Sequence, residues 1–206
     1  MNDFGIYLII SNPVLEYSKI AEIAVRQKIK YLQLREKDKS DIELISILKD
    51  LKSITEKSQT KLIIDDRPDL AQICKTDGVH LGQTDIPIDL AKTIYPQGIY
   101  GLSTHSLEQA ESALKKFPDY IGFGPIFKTP TKKIPDPVVG LNSIKKVTEL
   151  SKIPVVAIGG INQNNIEEVL SAGAKNVCLV RYFMESKNLE DRIKIINEKI
   201  QNMRTK

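Results

Sequence analysis

Residues 62–85 read LIIDDRPDLAQICKTDGVHLGQTD. The apolar run 62–64 gives way to Asp65-Asp66-Arg67. Pro68 then fits the first turn of a helix, where its missing N–H is no loss. A second apolar run, 79–81, follows and ends in Gly82-Gln83-Thr84-Asp85. Two short apolar runs joined by a helical segment read as parallel strands linked by a crossover. Both runs end in polar, charged residues.

The same unit recurs along the whole chain. Apolar runs occupy 6–10, 31–34, 62–64, 79–81, 100–102, 120–123, 155–158 and 177–180. They are short and rich in Ile, Val, Leu and aromatic residues, as strands buried on both faces are. Amphipathic segments lie between or after them at 18–27, 40–56, 106–116, 142–150, 164–172 and 189–203, with a weaker one at 88–94. Ser40 suits the N-cap of the second. Eight such units in 206 residues predict an α/β fold: a single (β/α)8 TIM barrel forming one domain over 1–206. A doubly wound open sheet is the structural alternative. The longest irregular stretch, 128–140, carries Pro130, Pro135 and Pro137 and follows the sixth run. In a barrel the loops after strands form the active-site face, so this loop is a candidate lid.

Composition narrows the function classes. The chain is 41% hydrophobic and 27% charged, with 30 basic and 26 acidic residues for a net charge of +4. No basic cluster of the kind that binds nucleic acid stands out. Cys74 and Cys178 are too few and too far apart for a disulfide framework or a zinc pattern. The start MNDFGIYLII lacks a basic leader region, and no apolar run reaches membrane-spanning length. These features predict a cytoplasmic protein with small-molecule rather than nucleic-acid or membrane partners.

The polar residues gather at strand ends. Alternation along QLREK (33–37) sends Gln33, Arg35 and Lys37 to one side, the interior of a closed barrel. Cations aimed inward are expensive unless an anion meets them, and a pyrophosphate would do so. Asp66 and Asp85 end neighbouring strands and suit Mg2+, which takes one or two carboxylates beside phosphate oxygens; as helix caps or turn residues they would have no ligand at all. Ser103 can donate to a phosphate. His105 is a general base or a structural hydrogen-bonder, and His80, inside an apolar strand, is structural. Thr129, Thr131 and Lys132 lie in the loop after the sixth run, and Gly159-Gly160 after the seventh would let backbone N–H groups approach a ligand.

Six stretches together, QLREK (33–37), DDRPDLA (65–71), GVHLGQTD (78–85), GLSTHS (101–106), GFGPIFKTPTKK (122–133) and PVVAIGGI (154–161), resemble the thiamine phosphate synthase family, in family order. The resemblance implies coupling of hydroxymethylpyrimidine diphosphate to a thiazole phosphate with loss of pyrophosphate. It implies a catalytic set of Arg35, Lys37, Ser103 and Lys132. Gln33, Arg35 and Lys37 would hold the pyrimidine diphosphate, and Asp66 and Asp85 the Mg2+. Thr129 and Thr131 would meet the thiazole phosphate or the closing loop, and Lys132 the pyrophosphate. Gly160 and the backbone at Val180-Arg181 would bind the thiazole phosphate. It also implies a homodimer or a monomer.

Two positions depart from the pattern. Asp65 stands where synthases have Asn, within the substrate-binding set; it would bind another metal or repel diphosphate. Val180-Arg181 replaces a Val-Ser or Ile-Ser pair, and Arg181 would grip the thiazole phosphate or fill its space. Thiazole tautomerases are the close rival. The resemblance implies that they use a His just after the sixth strand, where this chain has Pro125. A paralogue that binds a thiamine precursor without turnover is the reading from another class.

Overall fold

The computed structural model describes residues 3–129 and 136–205. Eight strands form the centre: β1 (Gly5–Ile10), β2 (Tyr31–Leu34), β3 (Lys61–Asp65), β4 (Gly78–Leu81), β5 (Ile99–Thr104), β6 (Tyr120–Phe123), β7 (Val155–Ile158) and β8 (Asn176–Cys178). Neighbours in sequence are parallel neighbours in space, and β8 pairs with β1 to close the ring. The barrel expectation therefore holds over the open-sheet alternative. The helices are α1 (Tyr17–Arg26), α2 (Asp41–Thr55), α3 (Pro68–Cys74), α4 (Ile88–Ile94), α5 (Leu107–Leu114), α6 (Gly140–Leu150), α7 (Ile166–Ser171), α8 (Val180–Met184) and α9 (Leu189–Arg204).

Local chemistry explains the helix starts. Ser40 accepts from the Glu43 backbone while the Glu43 side chain reaches back to Ser40, a complete capping box before α2. Pro68 occupies the first turn of α3. Ser106 caps α5 by accepting from Gln109 N at 3.1 Å.

Strand alternation splits the core into two layers. Leu8, Ile10, Leu32, Leu34, Leu62 and Ile64 face outward and pack under the helices. Tyr7, Ile9, Tyr31, Ile63, Tyr120, Val156 and Cys178 form a second cluster inside the ring. Tyr7 on β1 meets Tyr120 on β6, oxygen to oxygen at 2.6 Å. These strands are not neighbours, so the contact crosses the barrel. The interior is filled by rings rather than left as a pore.

One expectation needs correction. The run 177–180 reads as a strand, yet β8 ends at Cys178 and Val180 opens α8. Pairing to β1 stops at Ile6↔Val177. Leu179 turns the chain (φ −121, ψ 67), so Val180 and Arg181 sit on a short helix rather than a strand.

The tyrosine-filled interior sets a size limit at Gly101 on β5. A Cβ there would stand 2.1 Å from Tyr120 Cζ and 2.5 Å from His80 Nδ1. Gly101→Ala is expected to destabilise the fold by about 1–3 kcal/mol through overpacking. Urea denaturation measures this; an unchanged midpoint would refute the interior packing described.

Candidate active site

The C-terminal ends of the strands open into a cavity of about 470 Å3. Its wall includes Gln33, Arg35, Asp65, Ser103, Thr129, Gly160, Val180 and Arg181. Lys37, Asp66 and Asp85 adjoin it without forming part of the wall. Thr131 and Lys132 lie outside the described residues, as does the stretch 130–135 of the loop read as a lid.

Asp65, at the end of β3, is the hub of one side. Its Oδ2 lies 2.7 Å from Lys37 Nζ and 3.5 Å from Arg35 Nε, and its carboxyl is only 10% exposed. Its Oδ1 accepts from Gln33 Nε2 at 3.1 Å. Parallel pairing of β2 with β3, Leu34 against Ile64, brings these residues level. Gln33 is buried, and its Oε1 has no partner among the described residues.

Asp66 follows in a left-handed conformation (φ 62), which Asp tolerates better than most residues. That turn takes its carboxylate to Lys37 and to Asp85, with which it shares a hydrogen bond. Burial, then the charge of Asp65, then that hydrogen bond raise the Asp66 pKa from 3.8 to about 6, against the pull of Lys37. Asp85 also accepts from Gly82 N at 2.6 Å, so the turn-residue reading and the convergence with Asp66 both hold. Among the described residues no group of three or more His, Cys, Asp or Glu is arranged so that all could hold one metal ion. The pair alone meets the one-or-two-carboxylate habit of Mg2+.

Ser103 on β5 is held from below. Its Oγ lies 2.8 Å from His80 Nε2, and His80 Nδ1 lies 3.1 Å from Tyr120 Oη. The sequence suggested only that His80 is structural; inside the barrel it links the tyrosines to a wall residue of the cavity, which it also lines. His105 donates from Nδ1 to the Gly124 carbonyl at 2.6 Å, and its Nε2 lies 3.7 Å from Asp136 Oδ2. It ties down the loop after β6, in keeping with the structural reading.

The loops after β6 and β7 are stitched together. Ile126 N donates to Ile158 O at 2.9 Å, and Phe127 N to Gly159 O at 3.0 Å. This approach leaves no room for side chains at the paired glycines: a Cβ on Gly159 would meet Pro125 Cβ at 2.4 Å, and one on Gly160 would meet Phe127 Cβ at 2.7 Å. Both glycines also have positive φ, 99 and 68. Asn165 fixes the turn by donating to Gly160 O at 3.0 Å and accepting from Asn162 N at 2.8 Å.

Arg181 does not fill the cavity. It pairs with Glu185 one turn on, Nε to Oε1 at 2.8 Å, and its side chain stays 53% exposed at the rim. A third guanidinium, Arg192 of α9, also lines the cavity. It bonds the Tyr182 carbonyl and lies 4.6 Å from the Tyr182 ring centroid. Sequence reading missed Arg192 because it sits in an ordinary amphipathic helix far from any strand end. Only the docking of α9 beside α8 brings it to the mouth.

Comparison with known proteins places these features in a family context. The family model described as thiamine monophosphate synthase matches residues 6–183. The chain is 37% identical over 203 residues to a thiamine-phosphate synthase of Dictyoglomus turgidum, covering 95% of this chain and 90% of that one. It is 34% identical to a Clostridium botulinum protein of the same name, covering 94% of each. Among solved structures, a thiamine phosphate pyrophosphorylase from Pyrococcus furiosus superposes with a TM-score of 0.87 at 33% identity, covering 98% of both chains.

The raised pKa of Asp66 has a consequence for stability. A folded-state pKa above the unfolded value favours the protonated fold, so the contribution is full below about 4 and is lost as pH rises through about 6. In the presence of a chelator, Asp66→Asn is expected to gain stability relative to the parent across that window. The difference should level off above it. Parallel melting-temperature profiles for the two proteins from pH 4 to pH 7 would contradict the crowding of Asp65, Asp66 and Asp85.

Proposed function

The chain belongs to the thiamine monophosphate synthase family, and from that membership we propose how its residues divide the work of coupling a pyrimidine diphosphate to a thiazole phosphate. As a thiamine phosphate synthase, the enzyme transfers a pyrimidinylmethyl group. The C–O bond to the diphosphate breaks with its electron pair leaving on pyrophosphate, and the thiazole nitrogen then bonds to the pyrimidine methylene carbon. Negative charge develops on the departing group, so fixed positive charge and hydrogen-bond donors aimed at it lower the barrier.

In this reading Arg35 and Lys37 hold the diphosphate, with Arg35 offering forked donors and Lys37 a compact charge. Ser103, steadied by His80, donates to the leaving pyrophosphate. Gln33 meets the pyrimidine. Thr129 and the loop positions Thr131 and Lys132 close on the phosphates; the last two are assigned from the sequence resemblance alone. Gly160 and the backbone at Val180-Arg181 take the thiazole phosphate. The observation that carries the assignment is that Arg35, Asp65 and Ser103 share one cavity wall with Gly160 and Arg181, so both phosphorylated substrates can meet there.

Asp66 and Asp85 would hold Mg2+. Burial, the charge of Asp65 and a hydrogen bond to Asp85 hold the Asp66 pKa up, and a divalent cation beside it would favour its ionised form. Bound there, Mg2+ supplies positive charge to pyrophosphate oxygens.

The rival readings separate in one assay. Incubation with both substrates and Mg2+ is expected to release thiamine phosphate and pyrophosphate. Isomerisation of a thiazole carboxylate phosphate without coupling would instead favour the tautomerase. Within the synthase reading, Asp85→Ala and Lys132→Ala are each expected to slow coupling at least about 100-fold through loss of transition-state charge stabilisation. Near-normal turnover in both variants would remove the pyrophosphate and magnesium assignments.

A further inference from the structure

Four side chains inside the barrel form one line of hydrogen bonds. Tyr7 Oη lies 2.6 Å from Tyr120 Oη, Tyr120 Oη lies 3.1 Å from His80 Nδ1, and His80 Nε2 lies 2.8 Å from Ser103 Oγ. The line starts in the buried tyrosine cluster and ends at a hydroxyl in the cavity wall.

The buried end of the line fixes its direction. Burial above all pushes the Tyr7 and Tyr120 pKa values well above the usual phenol range, so both phenols keep their protons. Tyr7 is buried, and among the described residues its hydroxyl meets only Tyr120. A buried O–H without an acceptor is costly, so Tyr7 donates to Tyr120. The Tyr120 proton then goes to His80 Nδ1. An imidazole nitrogen that accepts carries no proton, which puts the ring proton on Nε2. Nε2 donates to Ser103 Oγ, and the Ser103 O–H is left to point at the cavity. Run the other way, the line would leave the Tyr7 proton buried against no acceptor and turn the serine proton inward to His80.

We propose that Tyr120 is a positioning residue for the transfer: it holds His80 in the Nε2–H form and so presents the Ser103 hydroxyl to the cavity as a donor. The inference rests on the synthase reading above, in which that hydroxyl meets the departing pyrophosphate. A serine hydroxyl can donate or accept, and a leaving group that gathers negative charge is stabilised only by the donor. Tyr7 closes the far end of the line without setting the form of His80, because Tyr120 alone can donate to Nδ1.

Two measurements test this. Nitrogen NMR of the histidine-labelled protein reads the ring directly. The chain has two histidines, so the spectrum of His105→Gln assigns the His80 signals. The parent is expected to carry the proton on Nε2 and to leave Nδ1 bare. A proton on Nδ1, in the other neutral form or in the cation, overturns the inference, and this readout needs no change at Tyr120. Tyr120→Phe removes the donor to Nδ1, and an Nδ1–H population should appear. Tyr7→Phe takes a hydroxyl from the same cluster but leaves Tyr120 donating, so the parent form should persist.

Coupling kinetics read the consequence. Tyr120→Phe is expected to lower kcat about tenfold, less than outright loss of a donor to the developing charge, with KM for both substrates within about threefold. In a Ser103→Ala background the same substitution should change kcat by less than about twofold, because its effect passes through the missing hydroxyl. An equal loss in both backgrounds marks a merely structural role for Tyr120 and overturns the inference. A parent that does not couple the two substrates would instead sink the synthase reading, while the His80 spectrum would still decide the direction of the line.

Discussion

The seam between β8 and β1 is narrow. Two residue pairs join the strands, Gly5 with Asn176 and Ile6 with Val177, and the buried Asn176 side chain reinforces them. Its oxygen accepts from Phe4 N at 2.8 Å and Gly5 N at 3.2 Å, and its nitrogen donates to Val155 O at 3.3 Å. One amide thus ties β7, β8 and β1 together. Closure has a chemical consequence. With eight parallel strands in one ring, every strand ends at the same rim, and the residues after each strand face a common mouth. Gln33, Asp65, Ser103 and Gly160 are far apart in the chain and share a wall for this reason.

The rim then has to solve a charge problem. Asp65, Asp66 and Asp85 lie near one another, and Arg35 and Lys37 answer them. The balance is incomplete, because the Asp66 pKa stays raised despite the Lys37 contact. A site in this condition suits a ligand that arrives with a divalent cation. In the proposed reading a cation held there would relieve the carboxylates, and the diphosphate would engage Arg35 and Lys37 in exchange for part of their contact with Asp65. On that proposal, binding would rearrange ion pairs already present, which limits the desolvation that a free cation cluster would require.

Much of this was legible in residue order. The periodic apolar runs report the barrel because buried parallel strands leave no polar face, and all eight lie where the runs placed them to within a residue or two at most ends. Strand eight is the exception, since Val180 is as apolar as a strand residue while the turn at Leu179 is set by the end of pairing with β1. The sequence also marked Asp66 and Asp85 as meeting at neighbouring strand ends beside Arg35 and Lys37, and set Asp65 apart as a departure. It did not show which partner each would take. Ion pairing of Asp65 with two cations depends on the register of β2 against β3, and the His80–Ser103 contact depends on how far a side chain on β4 reaches inside the ring. Arg192 was hidden more deeply, because helix docking leaves no local sequence trace.

Arg181 shows why a departure from a motif must be judged by geometry. Placed at the end of a strand and pointing inward, an arginine would occupy the space of a phosphate. Placed on α8, it has a partner four residues on in Glu185, and that i,i+4 pair holds it along the helix at the rim. The backbone of the glycine turn after β7 is left facing the cavity. The anion recognition proposed there would rest on backbone groups whose positions are set by the contacts of Gly159 and Gly160 with the preceding loop. Arg181 thus sits at the entrance, paired with Glu185, and leaves the glycine turn behind it open to the cavity.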